Sequence, residues 1–237
     1  MSPARFVRCR ARAWRAFSAE VASLAVVYAE QQQIARDLEV LEDRHRIARD
    51  LHDVLDVPMF SELPDGSATL YVAMGCFWGA EKTFWKTPGV FSTSVGYAGG
   101  FTLNPTYREV CSGLTGHNEV VKVVYDPAQV TYEKLLATFW ESHDPTQGFR
   151  QGNDVGTQYR SAFYPRTEEE RAEIQDIVDS YANKLKEFGF GDTTTEVKLL
   201  SDTDSGEYYL AEDEHQQYLH KVPNGYCPHH STGVKCD

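Results

Sequence analysis

From residue 68 onward, short strand-like apolar runs alternate with helical patterns, and the alternation has no regular beat. That irregularity limits the fold more than any other feature. A doubly wound sheet needs repeated strand–helix units of similar length, with each strand buried on both faces. Here the pattern reads as a strand over 68–74, a helix over 77–87 and a strand over 90–97. A loop rich in Gly, Asn and Pro over 98–106 leads to a strand pair near 107–112 and 118–125. A helix follows at 131–141, a polar loop at 142–157 and a strand at 158–164. A charged helix over 167–188, a strand over 194–200 and an aromatic, histidine-rich tail complete the chain. Thr131 and Thr167 are placed to cap their helices, and Glu168, Glu169 and Glu170 sit in a first turn, where the helix dipole favours acids. The expectation is an α+β fold, a mixed β-sheet packed with helices.

The first 67 residues are of another kind. Residues 1–19 hold Arg5, Arg8, Arg10, Arg12 and Arg15 and no acid. Such a start occurs in organellar transit peptides and also in a basic, frayed helix end. The compartment therefore reads as cytoplasmic, with an organelle as the alternative. Leu24, Val27, Ile34, Leu38, Leu41, Ile47, Leu51 and Leu55 recur near helical or heptad spacing with no Gly or Pro between them. Within this helical extension, assigned to 1–57, the segment 44–55 ("RHRIARDLHDVL") resembles the phosphoacceptor helix of sensor histidine kinases. His52 matches its phosphorylated histidine and Asp53 the acid that follows, yet no ATP-binding domain follows, so the segment reads as an exposed helix that pairs with a partner or with itself. Residues 58–67 carry prolines, a glycine and turn formers and read as a linker to a domain over 68–237.

A net charge of −12 argues against bulk nucleic-acid binding. No apolar run approaches the roughly 20 residues of a membrane helix. Cys9, Cys76, Cys111, Cys227 and Cys236 are odd in number and irregular in spacing, which disfavours a secreted disulfide framework and favours thiols with redox or metal work.

One cysteine stands apart. In "YVAMGCFWGAEKTFW", Cys76 lies where a strand becomes a helix, between Gly75 and Gly79, with Phe77 and Trp78 directly after it. A helix N-terminus offers unpaired N–H groups and partial positive charge, so the expectation is a thiol of lowered pKa, ready to act as a nucleophile. Phe77 and Trp78 do not share a helix face. Phe77 fits core spacing with Phe84 and Trp85, which leaves Trp78 free to wall a pocket beside the sulfur.

Five segments together resemble the A-type peptide-methionine (S)-S-oxide reductases: "GCFWGAEKTFWKTPGV", "GYAGG", "NPTYREVCSGLTGHNEVVKVVYDP", "FWESHDPTQGFRQGNDVGTQYRSAFYP" and "EDEHQQYLHKVPNGYC". The resemblance runs from about residue 69 to 236 and leaves the first 66 residues out. It implies a two-layer α/β roll and the reduction of methionine sulfoxide, free or in proteins. By this resemblance Cys76 attacks the sulfoxide sulfur, Phe77 and Trp78 pack the S-methyl group, and Glu119 protonates the oxygen. Tyr107 and Tyr159 hydrogen-bond that oxygen, and Asp154 helps hold the site and contacts the substrate backbone. The oxygen leaves as water with the help of Glu119, and Cys76 remains as sulfenic acid. Cys227, after "GY", resolves it to a disulfide, and Cys236 relays the disulfide outward. An external dithiol, thioredoxin, then reduces it. No bound cofactor or metal is implied. The partners are oxidised proteins or free methionine sulfoxide, and thioredoxin.

The residues alone leave other readings open. Glu119 could be a solvated strand charge, and Tyr107 and Tyr159 could be half-buried core aromatics. Cys227, His229, His230 and Cys236 are zinc-type ligands, although their spacing fits no standard zinc pattern. Cys111, in "REVCSG", reads as a packed or a bystander thiol. A thiol peroxidase would also use a low-pKa cysteine and a resolving thiol. An interaction protein would make the N-terminal helix the working part.

Overall fold

The computed structural model describes residues 66–226 and 230–236. The N-terminal helical extension, most of the linker, Cys9, Cys227 and His229 lie outside them.

Among the described residues the chain order is β1 (Ala68–Met74), α1 (Phe77–Trp85), β2 (Val90–Ala98), α2 (Tyr107–Cys111), β3 (Asn118–Tyr125) and α3 (Tyr132–Glu141). The hairpin β4 (Arg150–Gln151) and β5 (Asp154–Val155) follows, then a 3-10 turn at Thr157–Tyr159, β6 (Ser161–Phe163), α4 (Glu168–Glu187) and β7 (Glu196–Val197). The 3-10 turn Leu200–Asp202, β8 (Tyr209–Leu210), the 3-10 turn Asp213–His215 and α5 (Tyr218–Lys221) end it. The main sheet runs β7-β6-β1-β3-β2-β8. All neighbours are antiparallel except β6 and β7, so the sheet is mixed, as the unequal spacing of the sequence elements predicts.

Alternation along the strands separates two faces. Leu70, Val72, Met74, Val95, Tyr97, Val121, Val123 and Phe163 join one large core with the helices. Ala73, Ala98, Val120, Ala162 and Tyr164 form a thinner second cluster. The helices follow from their own spacing. α1 buries Phe77, Ala80 and Phe84, and α4 buries Ile174, Val178, Tyr181 and Leu185, stripes of i, i+3 or i+4, i+7 that face the sheet. The Thr131 and Thr167 side chains accept from the backbone amides of Lys134 and Glu170, which closes the first turns of α3 and α4.

Four sequence expectations change. Residues 107–111 form a helix rather than a strand, because Thr106 and Glu109 make a full capping box, each side chain bonded to the other's backbone amide. Cys111 is exposed at the end of that helix, which leaves the bystander alternative for this thiol. The strand expected over 158–164 holds only Ser161–Phe163, because a 3-10 turn takes Thr157–Tyr159, and the strand over 194–200 shrinks to Glu196–Val197. The polar loop 142–157 contains the β4–β5 hairpin.

Candidate active site

Gly75 leaves β1 with φ +90°. A side chain there would be strained and would also meet Gln151 Cβ at 2.6 Å, so the turn needs glycine. The turn places Cys76 at the N-cap of α1. The backbone N–H groups of Trp78 and Gly79 at the helix start pull the thiol pKa down. Burial is the larger effect, and the nearby Glu119 charge adds to it, so the pKa ends above its ordinary value. This reverses the expectation of a lowered thiol. A local argument from the helix end omits the desolvation and the carboxyl that the folded chain brings in.

That carboxyl comes from β3. Glu119 pairs across the sheet with Tyr97 of β2 and shares the face of Val121 and Val123, which directs it into the large core beneath α1. It is 2% exposed, and the Phe77 amide donates to its Oε2 at 2.9 Å. Burial pushes its pKa up to about 8, against the Phe77 hydrogen bond and with a smaller push from Asp154. At neutral pH it is a carboxylic acid, able to give a proton beside the Cys76 sulfur.

Tyr107 opens α2. Its N–H donates to Glu212 Oε1 at 2.7 Å, and its ring stacks on Phe77 with centroids 6.4 Å apart. Tyr159 ends the 3-10 turn before β6 and lies within electrostatic reach of Glu119, Cys111, Asp154 and Cys76. Burial raises the pKa of both tyrosines, which therefore keep their hydroxyl protons. Asp154, on β5, accepts from the Tyr226 hydroxyl at 2.9 Å, while its Oδ2 is buried with no hydrogen-bond partner among the described residues. Gln151 holds the hairpin in place: its amide exchanges hydrogen bonds with both backbone groups of Asp144. Cys76, Phe77, Trp78, Tyr107, Glu119, Asp154 and Tyr159 are thus linked by direct contact or by electrostatic coupling.

Phe77 is 1% exposed and belongs to the floor of the site; the half-buried Trp78 is the accessible aromatic. Cys236 is held elsewhere. Its N–H donates to Glu141 Oε1 at 3.0 Å, and it lines a cavity with Ile177, Tyr181 and Lys184 of α4. His230 packs against Gly152. Among the described residues no group of three or more His, Cys, Asp or Glu is arranged to hold a metal ion.

The family model described as peptide methionine sulfoxide reductase matches residues 68–235. The chain belongs to this family. It is 60% identical over 185 residues to peptide methionine sulfoxide reductase MsrA of Corynebacterium kroppenstedtii, covering 78% of this chain and 84% of that one. It is 62% identical over 174 residues to the enzyme of the same name from Corynebacterium diphtheriae, covering 72% and 79%. Among solved structures, methionine sulfoxide reductase A of Corynebacterium diphtheriae superposes with a TM-score of 0.67 at 60% identity, covering 73% of this chain and 82% of that one. Mxr1 from Saccharomyces cerevisiae in reduced form gives 0.63 at 32% identity, covering 72% and 95%.

This member of the reductase family has partners around its aromatics that the sequence does not reveal. Trp78 Nε1 donates to His215 Nδ1 at 3.2 Å, and Tyr218 stacks on the indole at 4.0 Å. Glu212 joins two elements, accepting from the Tyr97 hydroxyl and the Tyr107 amide, both at 2.7 Å. Glu81 is fully buried and accepts from Thr93 and from the backbone and side chain of Gln217. Glu212, His215, Gln217 and Tyr218 all lie in "EDEHQQY", 115 to 140 residues from the groups they meet on β2 and α1. No local periodicity can report a contact of that span. Only the density of polar and aromatic types in the segment hinted at it.

Among the described residues no helix is long and apolar enough to cross a membrane.

Proposed function

We propose that the Cys76 site reduces the S epimer of methionine sulfoxide, in proteins or free, to methionine. One observation carries the reading: a buried Glu119, protonated at neutral pH, bonded to the first amide of the helix whose N-cap is Cys76. A sulfoxide oxygen departs from sulfur only when it gains a proton, and this acid adjoins the nucleophile.

The chemistry balances with the residues present. The Cys76 sulfur bonds to the sulfoxide sulfur while Glu119 gives its proton to the oxygen, and Tyr107 and Tyr159 donate hydrogen bonds to that oxygen as charge develops. The proton of the Cys76 thiol passes to the Glu119 carboxylate and restores the acid. Glu119 gives a second proton as the S–O bond breaks and the oxygen leaves as water; a water molecule then attacks the Cys76 sulfur, returns a proton to Glu119, and the thioether leaves. One thiol and one sulfoxide thus give one sulfenic acid and one methionine. Raised pKa values on both groups suit this order, because neither proton is released before the substrate is bound. Trp78, with Phe77 beneath it, receives the S-methyl group. The unpartnered Asp154 Oδ2 accepts from the substrate backbone.

Cys227 then condenses with the sulfenic acid, releasing water and leaving a Cys76–Cys227 disulfide. Cys236 takes the disulfide outward, and a thioredoxin-type dithiol reduces it by exchange. The partners are thioredoxin and oxidised proteins, the compartment is the cytoplasm, and no bound cofactor takes part.

The test is turnover of the full-length protein on the separated sulfoxide epimers of N-acetylmethionine with a dithiol reductant. The expected result is consumption of the S epimer alone and none by Cys76→Ser. Turnover by Cys76→Ser, or consumption of hydrogen peroxide alone, contradicts the reading.

A further inference from the structure

We propose that His215 is a positioning residue for this reaction, its imidazole fixing the Trp78 ring in the orientation that receives the substrate's S-methyl group. The inference rests on the methyl-binding role given to Trp78 above.

An indole N–H only donates, so the contact at 3.2 Å requires His215 Nδ1 to be the acceptor. That sets the tautomer: a neutral ring with its proton on Nε2. Burial lowers the pKa of His215 and keeps the ring neutral. Stacking on Tyr218 alone does not fix the indole, because χ2 of tryptophan is broad and roughly two-fold and both settings keep a face on a neighbouring ring. The hydrogen bond selects one of them. His215 reaches the other site aromatics as well, with centroids 4.3 Å from Tyr107 and 5.4 Å from Phe77.

The backbone behind His215 is built for this placement. The Gln216 amide bridges Val95 N, Val95 O and Ala211 O at 2.8 to 2.9 Å, in the manner of a strand residue. Gln217 adopts φ 46°, in the left-handed region that a non-glycine residue enters at a cost. Three hydrogen bonds hold it there: its N–H and Nε2 to Glu81 at 2.9 and 2.6 Å, and Nε2 to Thr93 O at 3.1 Å. The fully buried Glu81 lies one turn beyond Trp78 on the same α1, so a single helix carries both the indole and the anchor of the segment that aims it.

The experiment compares His215→Asn, whose Oδ1 can stand where Nδ1 stood, with His215→Phe, which keeps a ring and loses the acceptor. Full-length proteins are assayed on the S-sulfoxide of N-acetylmethionine and on its S-ethyl homologue. The expected result is a KM for the methyl substrate raised about tenfold in His215→Phe, the scale of one unmet buried donor. Its kcat stays within about twofold, and its preference for methyl over ethyl weakens, because a misplaced wall loses ground-state and transition-state contacts alike. His215→Asn restores both KM and preference to within about threefold, as a kept hydrogen bond requires. Wild-type KM and preference in His215→Phe would overturn the proposal. So would equal losses of kcat in both variants with the preference unchanged, which marks a role in folding alone. A wild-type protein that reduces neither sulfoxide removes the reading of the whole site, this proposal included.

Discussion

The Phe77 amide and the Glu119 carboxyl are joined at 2.9 Å across 42 residues of sequence. The bond ties the first turn of α1 to the central strand β3 and puts an acid beside Cys76, the N-cap residue of the same helix. Replacing Glu119 by Gln keeps the shape and removes the proton. Steady-state assays on the S-sulfoxide are expected to show kcat/KM down by about 10²–10⁴, the usual worth of a positioned acid. Activity of the wild type falls as pH rises through about 8, where Glu119 ionises. That limb is absent from the residual activity of Glu119→Gln.

The Cys76 thiol stands above its ordinary pKa because of burial first and the Glu119 charge second. Without substrate it is therefore a slow nucleophile toward general reagents. Mass-spectrometric timing of iodoacetamide labelling at pH 7 should find Cys76 slower than a thiol in an unfolded peptide of the same sequence. Faster labelling would show that the helix N-terminus prevails over burial.

Gly75 has both a left-handed φ of +90° and a neighbour at 2.6 Å from where Cβ would stand. Gly75→Ala should lower the unfolding free energy by about 1–3 kcal/mol, the cost of a strained backbone residue. It should also lower kcat, because the turn sets the sulfur. Gly191→Ala, whose added Cβ meets nothing within 4 Å, is the control, expected within about 0.5 kcal/mol of the wild type. Urea melts of the two variants decide it.

The two buried acids also shape stability. Burial pushes Glu81 and Glu119 from an ordinary 4.5 up to about 8. Between those values the folded chain holds protons that the unfolded chain has lost, so their favourable contribution is complete below about 4.5 and is lost as pH rises through about 8. His143, lowered to about 4 by burial, acts in the opposite direction below its ordinary 6.5 and is silent above it. Thermal melts from pH 6.5 to 9 should thus show a falling Tm, with a shallower fall in Glu81→Gln. An equal slope in that variant would contradict the placement of Glu81.

Local chemistry made part of this molecule readable. The apolar run before Gly75, the capping threonines Thr131 and Thr167, and the i, i+4, i+7 stripe of α4 act within a few residues, and the structure has each of them. α2 is a helix where a strand is expected, although Tyr107 and Val110 already stand at helical i, i+3 spacing and Thr106 and Glu109 already spell a capping box. The pKa of Cys76 was misread for another reason: its main influences, burial and Glu119, arrive only when β3 lies beneath α1. Trp78–His215 and Tyr97–Glu212 are longer-range still, and only the folded chain displays them.

The most direct test is a single turnover of the full-length Cys227→Ser variant. The reduced protein is given excess N-acetylmethionine-S-sulfoxide and dimedone, with no reductant, and both the N-acetylmethionine released and the modified cysteine are measured. The expected result is one equivalent of N-acetylmethionine and a dimedone adduct on Cys76, the mark of a sulfenic acid with no Cys227 thiol to resolve it. N-acetylmethionine released while Cys76 stays unmodified, or an adduct on another cysteine in its place, would contradict this mechanism.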